Sequence, residues 1–273
     1  MKNFHNRVAA ITGAGSGMGR ALAEALAGYG CHLAISDVNE ESLVETAARL
    51  AQSGIRVSTH LVNVASRAEV ERYAANVVET HGRVHMIFNN AGVSVTDTVE
   101  HMSYQDLEWL MDINFWGVVH GTRAFLPYLQ QVDEAHIINT SSIFGTIAVP
   151  TQAAYNASKF AVRGFTYALR MELMTSHIGV SCVQPGGVKT NIVRNSRYVP
   201  ADNAAPTHEE FIAQFEQLAQ LTPPQAAARI LRGVRRNKPR ILVGRDAVLI
   251  SWLERLAPVG YLRLMGRAFN NDG

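Results

Sequence analysis

The feature that most restricts this chain is the alternation of short apolar runs with helical repeats through its first two thirds. Apolar runs fall at 7–13, 32–38, 56–64, 84–92, 135–142 and 179–187, with a last one at 239–244. Between them, apolar residues recur every three or four positions over 18–30, 40–53, 67–81, 103–111, 112–131 and from about 153 to 176. An unbroken apolar run reads as a strand buried on both faces, and strands that alternate with helices make a parallel sheet whose crossovers share one hand. The expected fold is α/β: a single doubly wound parallel sheet with helices on both faces. Its ligand belongs at the carboxyl ends of the strands. With 273 residues the chain can bury one large core, so one domain over 1–273 is expected.

Two regions depart from the rhythm. Residues 191–222 carry prolines, polar stretches and one amphipathic helix near 208–220, and the sheet resumes after them. They are expected to form an excursion that covers the substrate. Residues 246–273 are expected to form a helical tail. Its most apolar part, 247–269, is interrupted by Glu254, Arg255, Pro258, Arg263 and Arg267, so it lacks the roughly 20 apolar residues a spanning helix needs. No transmembrane span is expected. Val248, Leu249, Trp252, Leu253 and Leu256 follow helical spacing, which predicts an apolar face packed on the protein.

Charge and cysteine usage narrow the function classes. With 25 basic and 23 acidic residues the chain has no sequence-wide field for nucleic acid. The densest basic run, 232–240, lacks interleaved aromatics and predicts the solvated face and end of a helix. Cys31 and Cys182 lie in apolar runs and are expected to be reduced core residues. The ten histidines are scattered and no metal-ligand spacing occurs, so no metal is expected. The N-terminus lacks the apolar stretch of a signal peptide, which makes a cytoplasmic location the default.

The motifs carry the chemistry. TGAGSGMG, Thr12 to Gly19, follows the first strand and opens a helix, where glycines let the backbone approach a pyrophosphate held at the helix N-terminus. Alone, such a loop is more often a structural turn. Asp37 ends the second strand, where a carboxylate can accept from ribose hydroxyls or cap the following helix. Neither the loop nor positions 36 and 38–39 supply a basic partner for a 2′-phosphate, which favours NAD over NADP. Tyr155 and Lys159 stand four positions apart, so both lie on one helix face and the ammonium can act on the phenol. By itself that spacing fits an ordinary surface pair.

Taken together, these motifs resemble the short-chain dehydrogenase/reductase family in its roughly 250-residue subclass, over about 5–244. The pattern is carried by Thr12, Gly13, Gly17 and Gly19; NNAG at 89–92; Asn114; Ser142; Tyr155-x-x-x-Lys159; and PGGVKT at 185–190. Asn63 departs from the aspartate usual before Val64, while keeping a carbonyl acceptor for an adenine amino group. The resemblance implies a Rossmann-like fold and an NAD-dependent oxidoreductase. Tyr155 would be the general acid/base, with Lys159 lowering its pKa and binding nicotinamide ribose. Ser142 would donate to the substrate oxygen, and Asn114 would sit at a helix distortion in a proton relay. It implies cofactor contacts from Gly13, Ser16, Gly17, Met18 and Gly19; from Asp37, Asn63 and Val64; from Asn90, Ala91 and Gly92; from Tyr155 and Lys159; and from Pro185, Gly186, Val188 and Thr190. Transfer of the pro-S hydride is implied as well.

The segments flanking these motifs are mostly apolar, which points to a secondary alcohol or ketone on an apolar body. A homodimer or homotetramer through the helices over 112–131 and 153–176 is the family's expectation. A noncatalytic NAD-binding regulatory or scaffolding protein on the same fold is the alternative from another class. An epimerase or dehydratase acting on sugar nucleotides would want a larger substrate region.

Overall fold

The computed structural model describes residues 1–200, 206–263 and 266. In chain order the elements are β1 (Val8–Thr12), α1 (Gly17–Gly28), β2 (His32–Asp37), α2 (Glu40–Leu50), β3 (Val57–Leu61), α3 (Arg67–His81), β4 (Met86–Asn89), β5 (Val95–Thr96), α4 (Tyr104–Met111) and α5 (Gly117–Leu129). They continue with β6 (Ala135–Thr140), α6 (Ala153–Glu172), β7 (Ile178–Pro185), β8 (Arg197–Tyr198), α7 (His208–Leu218), α8 (Pro223–Arg235), β9 (Arg240–Val243) and α9 (Arg245–Leu256). Seven strands form one sheet in the order β3-β2-β1-β4-β6-β7-β9, and every pairing in it is parallel. This is the doubly wound α/β fold that the alternation predicts.

The period of two along a strand sorts its side chains between two helical layers. On β1, Ala9 and Ile11 join a cluster with Leu22 and Leu26 of α1 and Ile230 and Val234 of α8. Val8 and Ala10 face the other way, toward Tyr73 and Val77 of α3, Phe125 of α5 and Leu169 of α6. Side-chain caps start several helices: Ser66 accepts from the Glu69 amide at α3, and Asn39 from the Ser42 amide at α2. Gly82, at φ 76°, closes α3 in the left-handed conformation that glycine adopts without penalty.

Strand order reverses between β1 and β4. Chain connections leave in opposite directions there, and a crevice opens at the carboxyl ends of the two strands. The apolar run 84–92 is strand only over Met86–Asn89, because Asn90 to Gly92 turn aside to line that crevice. The two helices expected over 103–111 and 112–131 are joined by a π-helical turn, Asp112–Trp116. Excursion 191–222 contributes β8, which pairs with β5, and α7, started by a Thr207–Glu210 capping box.

The tail departs from its expected packing. Ile250 and Leu253 of α9 pack with Tyr261 on Phe144, Ile147 and Val149. Val248, Leu249, Trp252 and Leu256 are exposed. Apolar residues occupy more than one side of this helix, so spacing alone selects the wrong stripe; Ala247, Ile250, Ser251 and Leu253 form the side turned inward. Among the described residues, no helix is long and apolar enough to cross a membrane.

Candidate active site

The loop after β1 is built so that backbone, not side chain, faces the crevice. Gly13 has φ 65°, and a Cβ there would lie 2.8 Å from the Ala91 Cα; one at Gly19 would collide with the Gly13 carbonyl. Thr12 Oγ1 accepts from the amides of Asn90 (3.0 Å) and Ala91 (3.1 Å), which ties the loop to the strand end across the reversal. Asn90 Nδ2 returns a bond to the Thr12 carbonyl at 3.1 Å. Ser16 caps α1 in an extended conformation, with no acidic residue in the first turn, so the amide end of the helix faces the crevice uncompensated.

Asp37 closes one end of this loop. Its Oδ2 accepts from the Gly15 amide at 2.8 Å and its Oδ1 from the Asn39 amide at 3.0 Å. The helix cap is Asn39, so capping is not the task of Asp37. Arg20 backs the same loop: Nε donates to the Gly15 carbonyl (3.0 Å) and Thr46 (2.9 Å), and its guanidinium pairs with Glu45 at 2.7 Å. The cation that backs the Asp37 end of the loop is thus already committed.

A cleft of about 250 Å³ is lined by Gly13, Ser16, Gly17, Met18, Asp37, Asn63, Val64, Asn90, Ala91, Gly92 and Thr190, all of which the sequence motifs single out. Val38, Val62, Ile113 and Ile192 also line it and carry no motif. Gly19, Tyr155, Lys159, Pro185, Gly186 and Val188 lie outside this lining. Val188 bridges to Leu221 through bonds made by Gly187 and Lys189, which leaves the peptide groups of Val188 pointing away from that bridge. The Thr190 side chain comes within 3.2 Å of where a Gly17 Cβ would stand, so the two walls nearly meet. Asp246, which sequence reasoning passed over, accepts from the Gly187 amide at 2.6 Å and fixes the PGG turn from 59 positions away. No local pattern marks it; only the return of β9 beside β7 places it there.

Tyr155 and Lys159 sit in the first turns of α6. Lys159 is 2% exposed; its Nζ donates to the Thr140 carbonyl at 3.2 Å and lies 5.5 Å from the centre of the Tyr155 ring. Gly92 makes room for it. A Cβ there would stand 3.4 Å from Lys159 Nζ and 3.1 Å from Asn114 Oδ1. Asn114, in the π-helical turn, is fully buried; it accepts from the Val93 amide (2.8 Å) and donates to the Val93 carbonyl (3.0 Å) and to Ser158 Oγ (3.2 Å). The turn 143–145 that follows Ser142 is held on α6 by Asn156, which donates to the carbonyls of Phe144 (2.7 Å) and Ile147 (2.8 Å). Phe144 meets the Tyr155 ring edge-on at 6.2 Å. Asn114, Ser142, Tyr155 and Lys159 are thus brought to one corner of the molecule, at the Gly92 end of the cleft.

Burial sets the protonation of the pair. It pushes the Tyr155 phenol up to about 12, against a hydrogen bond with Ser142 that pulls it down. Burial also brings the Lys159 ammonium down to about 8. In the protein alone burial thus holds the phenol above its ordinary value of about 10, the opposite direction from the lowering that the resemblance implies. The number of protons matters more than their owner. Phenol with neutral amine and phenolate with ammonium hold the same number, so losing one proton near pH 8 gives a pair able to accept one.

These residues fit a dinucleotide. Glycine backbone at a helix N-terminus suits a pyrophosphate, Asp37 suits ribose hydroxyls, and among the described residues Asn90 Oδ1 is a buried acceptor without a partner. The Thr12 hydroxyl is the tie between the two strands that form the crevice. Thr12→Val is expected to lower stability by about 1–3 kcal/mol, because it strands two backbone amides, while Thr12→Ser stays near wild type. Urea unfolding checks this; a Thr12→Val midpoint equal to wild type would remove the hydroxyl from that role.

Comparison with known proteins places this geometry. A family model for short chain dehydrogenase matches residues 7–199. SadH of Mycobacterium tuberculosis, which carries an oxidoreductase's name, is 44% identical over 268 residues, covering 97% of this chain and 96% of its own. Estradiol 17-beta-dehydrogenase 11 of Mus musculus is 29% identical over 272 residues, covering 98% of this chain and 86% of its own. The crystal structure of a short chain dehydrogenase/reductase from Burkholderia phymatum in complex with NAD superposes with a TM-score of 0.85 at 32% identity, covering 94% of this chain and 95% of that one. The chain is an oxidoreductase of the short-chain dehydrogenase/reductase family.

Proposed function

We propose that the chain interconverts a secondary alcohol and a ketone on a largely apolar substrate, using NAD, with Tyr155 as general acid/base. The observation that carries this reading is the buried Lys159 beside the half-buried Tyr155 and Ser142, at the end of a cleft that fits a dinucleotide. When bound, the nicotinamide supplies or takes up the hydride. Tyr155 gives its proton to the carbonyl oxygen in reduction and takes it from the hydroxyl in oxidation. Ser142 Oγ accepts from the Phe144 amide at 3.1 Å and directs its own proton toward the Tyr155 oxygen, where a substrate oxygen bound between the two would accept it as charge develops. Asn114 is a positioning residue: its bonds to Val93 and Ser158 hold the Gly92 turn against α6. The Val188 peptide and the Thr190 hydroxyl would orient a carboxamide.

The substrate class follows from what surrounds Tyr155. Phe144 and Val149 belong to an apolar cluster closed by Tyr261, Ile250 and Leu253. Both arginines of excursion 191–222 are engaged, Arg194 with Glu216 and Arg197 with Asp106 and the face of Trp109. Neither is free to clamp a carboxylate or phosphate. The estradiol-dehydrogenase relative supports an apolar alcohol. A noncatalytic NAD binder could use Lys159 on a ribose, but it would have no use for a phenol held beside that lysine and Ser142. Trp116 and Phe160, 47% and 40% exposed near the start of α5 and on α6, favour a homodimer through these helices.

Tyr155→Phe is expected to keep NAD affinity and lower turnover by roughly 10²–10⁴-fold across a panel of secondary alcohols and ketones. Alcohol oxidation by wild type should gain kcat/KM as pH rises through about 8, the pH at which the pair loses its first proton. Lys159→Met should lose that limb and bind NAD more weakly. Wild-type turnover in Tyr155→Phe, with its pH limb intact, would assign the proton to another group.

Cofactor choice follows from Asp37 and from the engagement of Arg20 with Glu45. Titration should show tighter binding of NADH than of NADPH, and Asp37→Ala should narrow the difference. Equal affinities in wild type would overturn the preference.

A further inference from the structure

The oxidoreductase chemistry leaves one strongly charged face unused. Seven of the chain's 25 basic residues, and none of its 23 acidic ones, lie between Pro223 and Arg245. Helix α8 buries Ala226, Ala227, Ile230, Leu231 and Val234, which turns its arginines to solvent. Arg229, Arg232, Arg236, Lys238 and Arg245 line a groove of about 670 Å³, and Val248 and Leu249 of α9 line the same groove. Trp252 and Leu256 extend that apolar stripe by two further turns. Leu249, Trp252 and Leu256 are 69%, 54% and 77% exposed. Arg240 lines the groove as well, and among the described residues none of these six cations forms a salt bridge.

Cations beside an exposed apolar helix face match a surface that is anionic outside and apolar beneath. A second copy matches poorly: a two-fold contact would set these cations against one another, with no acidic residue in 223–245 to answer them. Asp246, next in sequence, is turned inward onto the Gly187 amide. We propose that the outer side of α8 and α9 is a peripheral docking surface for an anionic phospholipid bilayer. Leu249, Trp252 and Leu256 enter the headgroup boundary and the groove cations lie over lipid phosphates. The inner side of α9 packs in one cluster with Phe144, whose ring meets Tyr155, so one helix separates the docked surface from the candidate substrate site. Docking itself does not depend on the reaction.

The test is flotation of the full-length protein with vesicles of phosphatidylcholine, with and without phosphatidylglycerol, alongside light scattering without lipid. Wild type should float with the phosphatidylglycerol vesicles, stay behind with phosphatidylcholine alone, and be released by salt. A triple variant, Arg229→Glu, Arg232→Glu and Arg236→Glu, and a double variant, Leu249→Ser and Trp252→Ser, should each bind at least about tenfold more weakly. NAD binding retained in either variant shows that it is folded, and one folded variant suffices for the decision. Wild type that ignores phosphatidylglycerol, or folded variants that float as well as wild type, would overturn the proposal. So would a drop in solution mass in the variants, which would make the face an interface between copies.

Discussion

A lysine ammonium buried at the carboxyl edge of the sheet is the constraint around which this structure is arranged. A charge there is tolerable only if nearby groups replace the water it has lost. Lys159 keeps the Thr140 carbonyl, the face of Tyr155 and a space over Gly92 that a side chain there would narrow. The surroundings only partly compensate, which is why burial lowers its pKa to about 8. That incomplete compensation is chemically useful, because it brings a proton that would otherwise leave near pH 10 into the range where an enzyme works.

The rest of the fold supplies position. Strand reversal between β1 and β4 opens the crevice; the Thr12 hydroxyl holds its two lips together; Asn156 and Asn114 fix the turns carrying Ser142 and Gly92 against α6. Each tie runs from a side chain to backbone or to another buried side chain, so the site is set by elements packed in the core rather than by flexible loops. Asp246 extends the logic to the far side, where the last strand and helix steady the turn after β7.

The fold was legible in the sequence because its signal is periodic: buried strands and amphipathic helices show on paper where the chain must turn. The cleft was legible for a different reason, since glycines, Asp37 and the Tyr155–Lys159 spacing each answer a local geometric demand. What escaped depends on tertiary placement. The strand at 84–92 ended three residues early because Asn90 turns to meet Thr12, a partner 78 positions away. Asp246 and Arg20 carry no local pattern, and only the fold brings Gly187 and Gly15 to them. The tail shows the limit most clearly: spacing found apolar residues on α9 but could not say which side the protein covers, and Leu249, Trp252 and Leu256 face solvent. The phenol's surroundings escaped too, because spacing shows the lysine but not the burial that raises the phenol's pKa.

The central claim is that Tyr155 and Lys159 share a proton whose affinity the cofactor site controls. Ultraviolet difference titration of tyrosinate, taken as wild type minus Tyr155→Phe, measures it without any substrate. The account predicts that in the protein alone Tyr155 stays protonated well above pH 10, in keeping with the phenol held at about 12. With NAD⁺ present its ionisation should fall by about one to three units, as a cation brought close favours the phenolate. A Tyr155 titration that is the same with and without NAD⁺ would contradict the account.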